Sequence, residues 1–277
     1  MPTDKKIEPK IIPSLARTIS ELNKRFGVNT IGTVKDMEHL KISRVKTGLP
    51  HLDEGLGGGF PLGGMVELYG PEHSGKSLLS LLTIKSAQTM GLDCIYIDAE
   101  NSFDDVWSKK LGVDTDKLIV TQIGIAEDII DMIAKLLESK PGVIVVDSVA
   151  GMITRGEFEG EADQQFMAPK ARLMSRGLAK LNTLNDKTLI IWVNQLRSTM
   201  AMFGVKTTTP GGNALRHFAS IRIEVKRDSA LITKTGKVTD KDVIGQRAVW
   251  KITKNKTFEP YKHGSFELIY DGPIISE

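Results

Sequence analysis

The sequence predicts an α/β fold: a mostly parallel central sheet covered on both faces by helices, extended by antiparallel strands and preceded by an N-terminal helix. Three observations carry this reading. Short apolar runs alternate with helical segments, namely 65-MVELYG-70, 94-CIYIDA-99, 118-LIVTQ-122, 143-VIVVDS-148 and 188-TLIIWVNQ-195, the pattern of strands buried on both faces. Past residue 220 the texture changes, and 220-SIRIEVKR-227, 246-QRAVWKITK-254 and 265-SFELIYD-271 follow one another through turns, which predicts the antiparallel extension. A glycine-rich octapeptide, 70-GPEHSGKS-77, links the first strand to the apolar helical run 78-LLSLLTIKSAQTM-90.

Taken in order, the chain begins with Leu15, Ile19, Leu22 and Phe26 at helical spacing, after Pro13-Ser14 and before Gly27. This predicts a short amphipathic helix whose stripe docks either on its own core or on a neighbouring subunit; the sequence does not decide. Residues 1–40 are read as this helix and a linker serving subunit association, and 41–277 as one core, because single cores stop growing near ~250–300 residues. Hydrophobic residues make up 40% and charged residues 26%, as in an ordinary globular protein. A net charge of +3, from 37 basic and 34 acidic residues, does not by itself argue for nucleic acid, so a DNA surface must come from local clusters. The single cysteine, Cys94, lies in an apolar run and cannot form an intrachain disulfide, which fits a reducing, cytoplasmic setting. No apolar run approaches the ~18 residues that span a bilayer, and Met1 is followed by polar residues rather than a signal-peptide core.

The octapeptide fits G-x-x-x-x-G-K-[ST] at Gly70, Gly75, Lys76 and Ser77, with Pro71, Glu72, His73 and Ser74 between the glycines. Backbone N–H groups and a helix N-terminus would face phosphate oxygens, Lys76 would reach the β- and γ-phosphates, and Ser77 would hold Mg²⁺. His73 is read as an unconstrained loop position. Asp147, at the end of an apolar strand, supplies the second metal-orienting acid, and strand C-terminal ends are where open α/β sheets gather ligands. Glu100 sits at the same edge and is positioned to orient a water as general base, whereas Asp98 caps a turn. Asn194 and Gln195 offer amides at a fourth strand end.

A DNA surface needs its own argument. The segment 157-EFEGEADQQFM-167 is acidic and a poor phosphate binder, but Arg172, Arg176 and Lys180 recur every four residues on a helix expected over roughly 164–184. Further on, Arg197 and Lys206 flank Met200 and Phe203, apolar groups that either wedge between bases or pack back onto the core. Gly211, Gly212 and Asn213 start a helix whose N–H groups offer another anion site.

Together with 211-GGNALRHFAS-220, 254-KNK-256, 109-KKLGVD-114 and 157-EFEGEAD-163, these pieces resemble the RecA recombinases, in colinear order from the N-terminal helix to about Asp271. The resemblance implies a RecA-like P-loop core that binds ATP and Mg²⁺ and forms a helical homo-oligomeric filament on single-stranded DNA. It implies pairing of that strand with homologous double-stranded DNA, strand exchange, DNA repair and the SOS response to DNA damage. Carried over by position, the likeness makes Glu100 the water-activating glutamate and Asp147 the Mg²⁺-associated aspartate. Gln195 becomes the γ-phosphate sensor at the start of a DNA-binding loop, roughly 196–212, and Met167 falls in the other DNA-binding region. Asp104 would face the adenine amino group, and Trp107, where the family usually has tyrosine, would stack on the base or simply be a buried tryptophan. Lys254 and Lys256 would enter a neighbour's nucleotide site; on the residues alone they read as a solvated strand end. His217 stands where the family usually has an aromatic residue. The usual small C-terminal domain is expected to be absent. A nucleotide-gated paralogue that barely hydrolyses ATP and a ring-forming helicase with the same core are the alternatives.

Overall fold

The computed structural model describes residues 11–27, 30–34, 42–160, 167–198, 207–233 and 243–270. The chain divides into two units, Met1–Ile42 and Ser43–Glu277. The first contains helix α1 (Pro13–Phe26), which opens on Pro13, carries Lys24 and Arg25 in its last turn and ends at Gly27, φ 114°. Asn23 ties down the segment that follows: its Nδ2 donates to Ile31 O at 2.8 Å and its Oδ1 accepts from Ile31 N at 3.0 Å.

The second unit runs β1 (Arg44–Val45), α2 (Pro50–Gly55), β2 (Phe60–Pro61), β3 (Met65–Gly70), α3 (Lys76–Thr89), β4 (Cys94–Asp98) and α4 (Asp105–Lys110). It continues with β5 (Ile119–Gln122), α5 (Ala126–Leu136), β6 (Val143–Asp147), α6 (Arg155–Glu159), α7 (Met167–Leu184) and β7 (Leu189–Gln195). A short ribbon of β8 (Arg197–Ser198) and β9 (Thr207–Thr208) precedes α8 (Ala214–Phe218), β10 (Ile221–Thr233), β11 (Val243–Asn255) and β12 (His263–Ile269). The main sheet has eight strands in the order β12-β11-β10-β3-β7-β6-β4-β5.

The inner strands are mostly apolar because each face has its own core. In β6, Val143 and Val145 join Leu79, Ile84 and Tyr96 in the layer that contains α3. Ile144 and Val146 alternate to the other face, against Ile129 and Ile133 of α5 and Met174, Leu178 and Leu181 of α7. The mostly parallel sheet with an antiparallel extension is therefore as the sequence predicts, with one refinement. β10 pairs in parallel with β3 and antiparallel with β11, so the change of direction falls after β10 rather than before it. The reason is local: α8 supplies a crossover that brings β10 back beside β3 in the same sense.

Candidate nucleotide site

The parallel strands deliver their C-terminal ends to one edge of the sheet. The register pairs Gly70 of β3 with Gln195 of β7, and Asp98 of β4 with Asp147 of β6. Around these ends lies a cleft of about 750 Å³, lined among others by residues 72–78, Glu100, Trp107, Asp147, Gln195, Gln246 and Tyr270.

The octapeptide forms the turn from β3 into α3. Gly75 takes φ 95° and His73 φ 55°, the left-handed region that curls a loop inward, and the N-terminus of α3 carries no side-chain cap. Lys76 is 7% exposed and donates to Pro71 O at 2.5 Å and Ser74 Oγ at 3.3 Å, so its ammonium is held by the loop's own oxygens. Burial pulls its pKa below the usual lysine range, while Asp147, Glu100 and Glu72 push the other way. An uncapped helix start beside a dehydrated ammonium is a cradle for an anion, and the donor set fits a phosphate. Gly70 has an additional task. A Cβ there would lie 1.8 Å from Val225 O of β10, so this glycine is demanded by strand packing.

Asp147 is 4% exposed and accepts from the Tyr96 hydroxyl at 2.6 Å. Burial raises its pKa, and hydrogen bonds from Ser77 and Tyr96 oppose that rise. A carboxylate beside the Ser77 hydroxyl is an oxygen donor pair suited to a small hard cation such as Mg²⁺. Glu100 is exposed at the rim, and its Oε1 accepts from Gln195 Nε2 at 3.1 Å and from Ser148 Oγ. Asp98 caps a turn as the sequence suggests: it accepts from the backbone of Glu100 at 3.3 Å, Ser102 at 3.1 Å and Phe103 at 2.9 Å.

Trp107 reaches the cleft, packs against the core beside α3 and carries Lys110 Nζ at 5.7 Å from its ring centre. Asp104 does not line the cleft; it caps α4 by accepting from Trp107 N at 2.9 Å, and thereby sets the turn that presents the tryptophan. Sequence reasoning missed several cleft residues, among them Ser102, Ser148, Arg227, Gln246 and Tyr270. Gln246 of β11 donates to His73 O at 3.2 Å, and Tyr270, just after β12, accepts Lys110 Nζ on its carbonyl at 2.7 Å. Neither belongs to a local motif, and only the sheet order, which folds β11 and β12 back toward β3, places them here.

Lys254 and Lys256 stand apart from this cleft. Between residues 246 and 254 β11 runs roughly 26 Å at the usual strand rise. At that far end Lys254 Nζ donates to Arg216 O at 2.7 Å and His217 O at 3.0 Å, and Lys256 Nζ to His217 O at 3.4 Å, capping the C-terminus of α8. Beneath them lies a buried ion pair: Arg222 Nε donates to Glu67 Oε2 at 2.5 Å. Glu67 Oε1 also accepts from Asn194 Nδ2 at 3.0 Å, and Asn194 reaches Pro210 O at 3.2 Å.

On the opposite layer, Arg172 and Arg176 are exposed on α7, whereas Lys180 pairs with Asp131 at 2.9 Å. Gly211 and Gly212 take φ 84° and 72° and pack on α7, where added Cβ atoms would meet Met174 at 3.4 Å and Ala171 at 3.0 Å. Asn213 leads into α8 without a side-chain cap bond. Met167 opens α7 and Arg197 opens β8, while Met200, Phe203 and Lys206 lie outside the described residues. None of the described helices is long and apolar enough to cross a membrane.

The model of the RecA N-terminal domain matches residues 13–275. A cradle, two carboxylates and an amide gathered at the strand ends of a doubly covered sheet agree with that match, and the chain belongs to the RecA family.

Proposed function

We propose that the protein is a DNA-dependent ATPase that assembles on single-stranded DNA as a helical filament and promotes homologous pairing and strand exchange, in a recombination and repair role. One observation carries the reading: the cleft gathers a phosphate cradle, a metal-side carboxylate, a rim carboxylate and an amide, while Lys254 and Lys256 sit at the other end of β11. A terminal phosphate bearing several negative charges needs cations as bond cleavage begins, and the cleft lining supplies Lys76 and Arg227. Supply of the lysine pair by an adjacent copy makes nucleotide binding and assembly one linked equilibrium. The stripe on α1, within residues 1–40, is assigned to the same association.

Lys76 and the N–H groups at the start of α3 bind the phosphates, Trp107 stacks on the base and Asp104 holds that tryptophan in place. Ser77 and Asp147 would hold Mg²⁺, which supplies charge neutralisation at the phosphates. Glu100 accepts the proton of the attacking water, and Gln195 turns from Glu100 toward the terminal phosphate. The bond network from Asn194 to Glu67 and to Pro210 supports coupling of that amide to the loop beyond β8. Arg172, Arg176 and the glycine turn at 211–212 are assigned to the DNA face, with Arg197, Met200, Phe203 and Lys206 in the intervening loop.

Electron microscopy of the protein with single-stranded DNA and a non-hydrolysable ATP analogue tests this reading. Open helical filaments are expected; closed rings or dispersed protomers would overturn it.

A further inference from the structure

We propose that Ser148 is a positioning residue for ATP hydrolysis, the donor that fixes the Glu100 carboxylate while Gln195 exchanges its partner. The inference rests on the reading of Glu100 as the general base. Ser148 follows the last residue of β6, is 1% exposed, and its hydroxyl donates to Glu100 Oε1. The same oxygen accepts from Gln195 Nε2 at 3.1 Å, which leaves Oε2 as the oxygen that can take a water.

The two donors differ in kind. Gln195 is half-buried at a strand end and has a long side chain with three rotatable bonds, so it can swing to a phosphate. Ser148 has one rotatable bond, and its backbone is pinned on both sides: Ala99 N donates to Asp147 O at 2.7 Å before it, and Gly151 N donates to Ser148 O at 3.1 Å after it. When Gln195 leaves, Ser148 is the donor that stays. Gly151 closes the other side of the carboxylate stem, where an added Cβ would stand 2.6 Å from Glu100 Cγ. Glu100 is therefore bracketed between a fixed hydroxyl and a backbone that tolerates no side chain. Because Ser148 follows Asp147 directly, the metal-side carboxylate and the anchor of the base share one peptide unit. Their backbone positions are thereby fixed relative to one another.

The test compares Ser148→Ala, Ser148→Thr and Glu100→Gln in the full chain, measuring DNA-stimulated turnover and the affinity for a fluorescent ATP analogue. Loss of the hydroxyl in Ser148→Ala is expected to lower kcat on the order of tenfold or more, the scale of a mispositioned catalytic group, with KM and nucleotide affinity unchanged. Ser148→Thr, which keeps a hydroxyl, is expected to recover most of that rate. An unchanged kcat in Ser148→Ala, a matching rise in KM, or a loss that threonine leaves unrepaired would overturn the proposal. Glu100→Gln separates the two readings: wild-type turnover there removes the general base itself, whereas an inactive Glu100→Gln beside a fully active Ser148→Ala removes only the role of Ser148.

Discussion

Lys76 and Lys254 are both held below the ordinary ammonium range, Lys76 by burial alone and Lys254 by burial and then by Lys256 and Arg222, which bring it to about 8. The sign of the Lys254 effect is opposite for folding and for phosphate binding. A lysine whose folded pKa lies below its ordinary 10.5 binds fewer protons folded than unfolded between those values. Its charge therefore opposes folding in full below about 8, and that opposition fades as the pH climbs toward 10.5. A phosphate partner, however, needs the ammonium. Nucleotide-driven assembly is expected to weaken as pH rises past about 8, while this group's contribution to the melting temperature of the nucleotide-free protein moves upward. Sedimentation and thermal melts at matched ionic strength check both, and Lys254→Gln is expected to flatten both.

Among the elements, the turn that leaves β4 shows how one buried side chain aims another. Asp98 is 0% exposed and accepts three backbone N–H groups, of Glu100, Ser102 and Phe103, as well as Gln122 Nε2 at 3.2 Å. Asp98→Ala leaves these donors without their acceptor and is expected to cost about 2–4 kcal/mol in urea unfolding, from the usual penalty for buried unpaired polar groups. It is also expected to abolish turnover, since Glu100 begins within the same turn; a stable, fully active variant would contradict the assignment. The sequence made this turn legible, because an apolar strand ending in Asp is a recognisable cap. Gly70 reads as a phosphate-loop glycine, and the structure adds a constraint that its motif does not show: a strand distant in sequence, β10, excludes its Cβ. β10 was itself assigned to the antiparallel extension, since its parallel partner depends on the short crossover helix α8 and not on its own residues.

For the molecule as a whole, the two-faced apolar strands and the phosphate loop made the sheet and one wall of the cleft readable from local pattern. The opposite wall was not readable, because Gln246 and Tyr270 arrive only through strand order. Charge was partly legible: the spacing of Arg172, Arg176 and Lys180 is helical as predicted, but Lys180 is claimed by Asp131 across the gap to α5. Arg176→Ala is accordingly expected to weaken binding to single-stranded DNA and to reduce the salt slope by roughly one phosphate's worth, measured by fluorescence anisotropy over a salt series. Lys180→Ala is expected to leave the slope nearly unchanged, and equal slopes for wild type and Arg176→Ala would take α7 off the DNA face. Strand β11 has a further consequence. It carries a clamp on its own phosphate loop, Gln246, at one end and the lysine pair at the other. On the proposed arrangement, a row of such protomers ends on one side with a cradle that lacks a neighbour's lysine pair and on the other with a lysine pair that has no cradle to enter. The two tips are then chemically unlike, so subunits join and leave them at different rates, and the row acquires a direction of growth from the placement of side chains along a single strand.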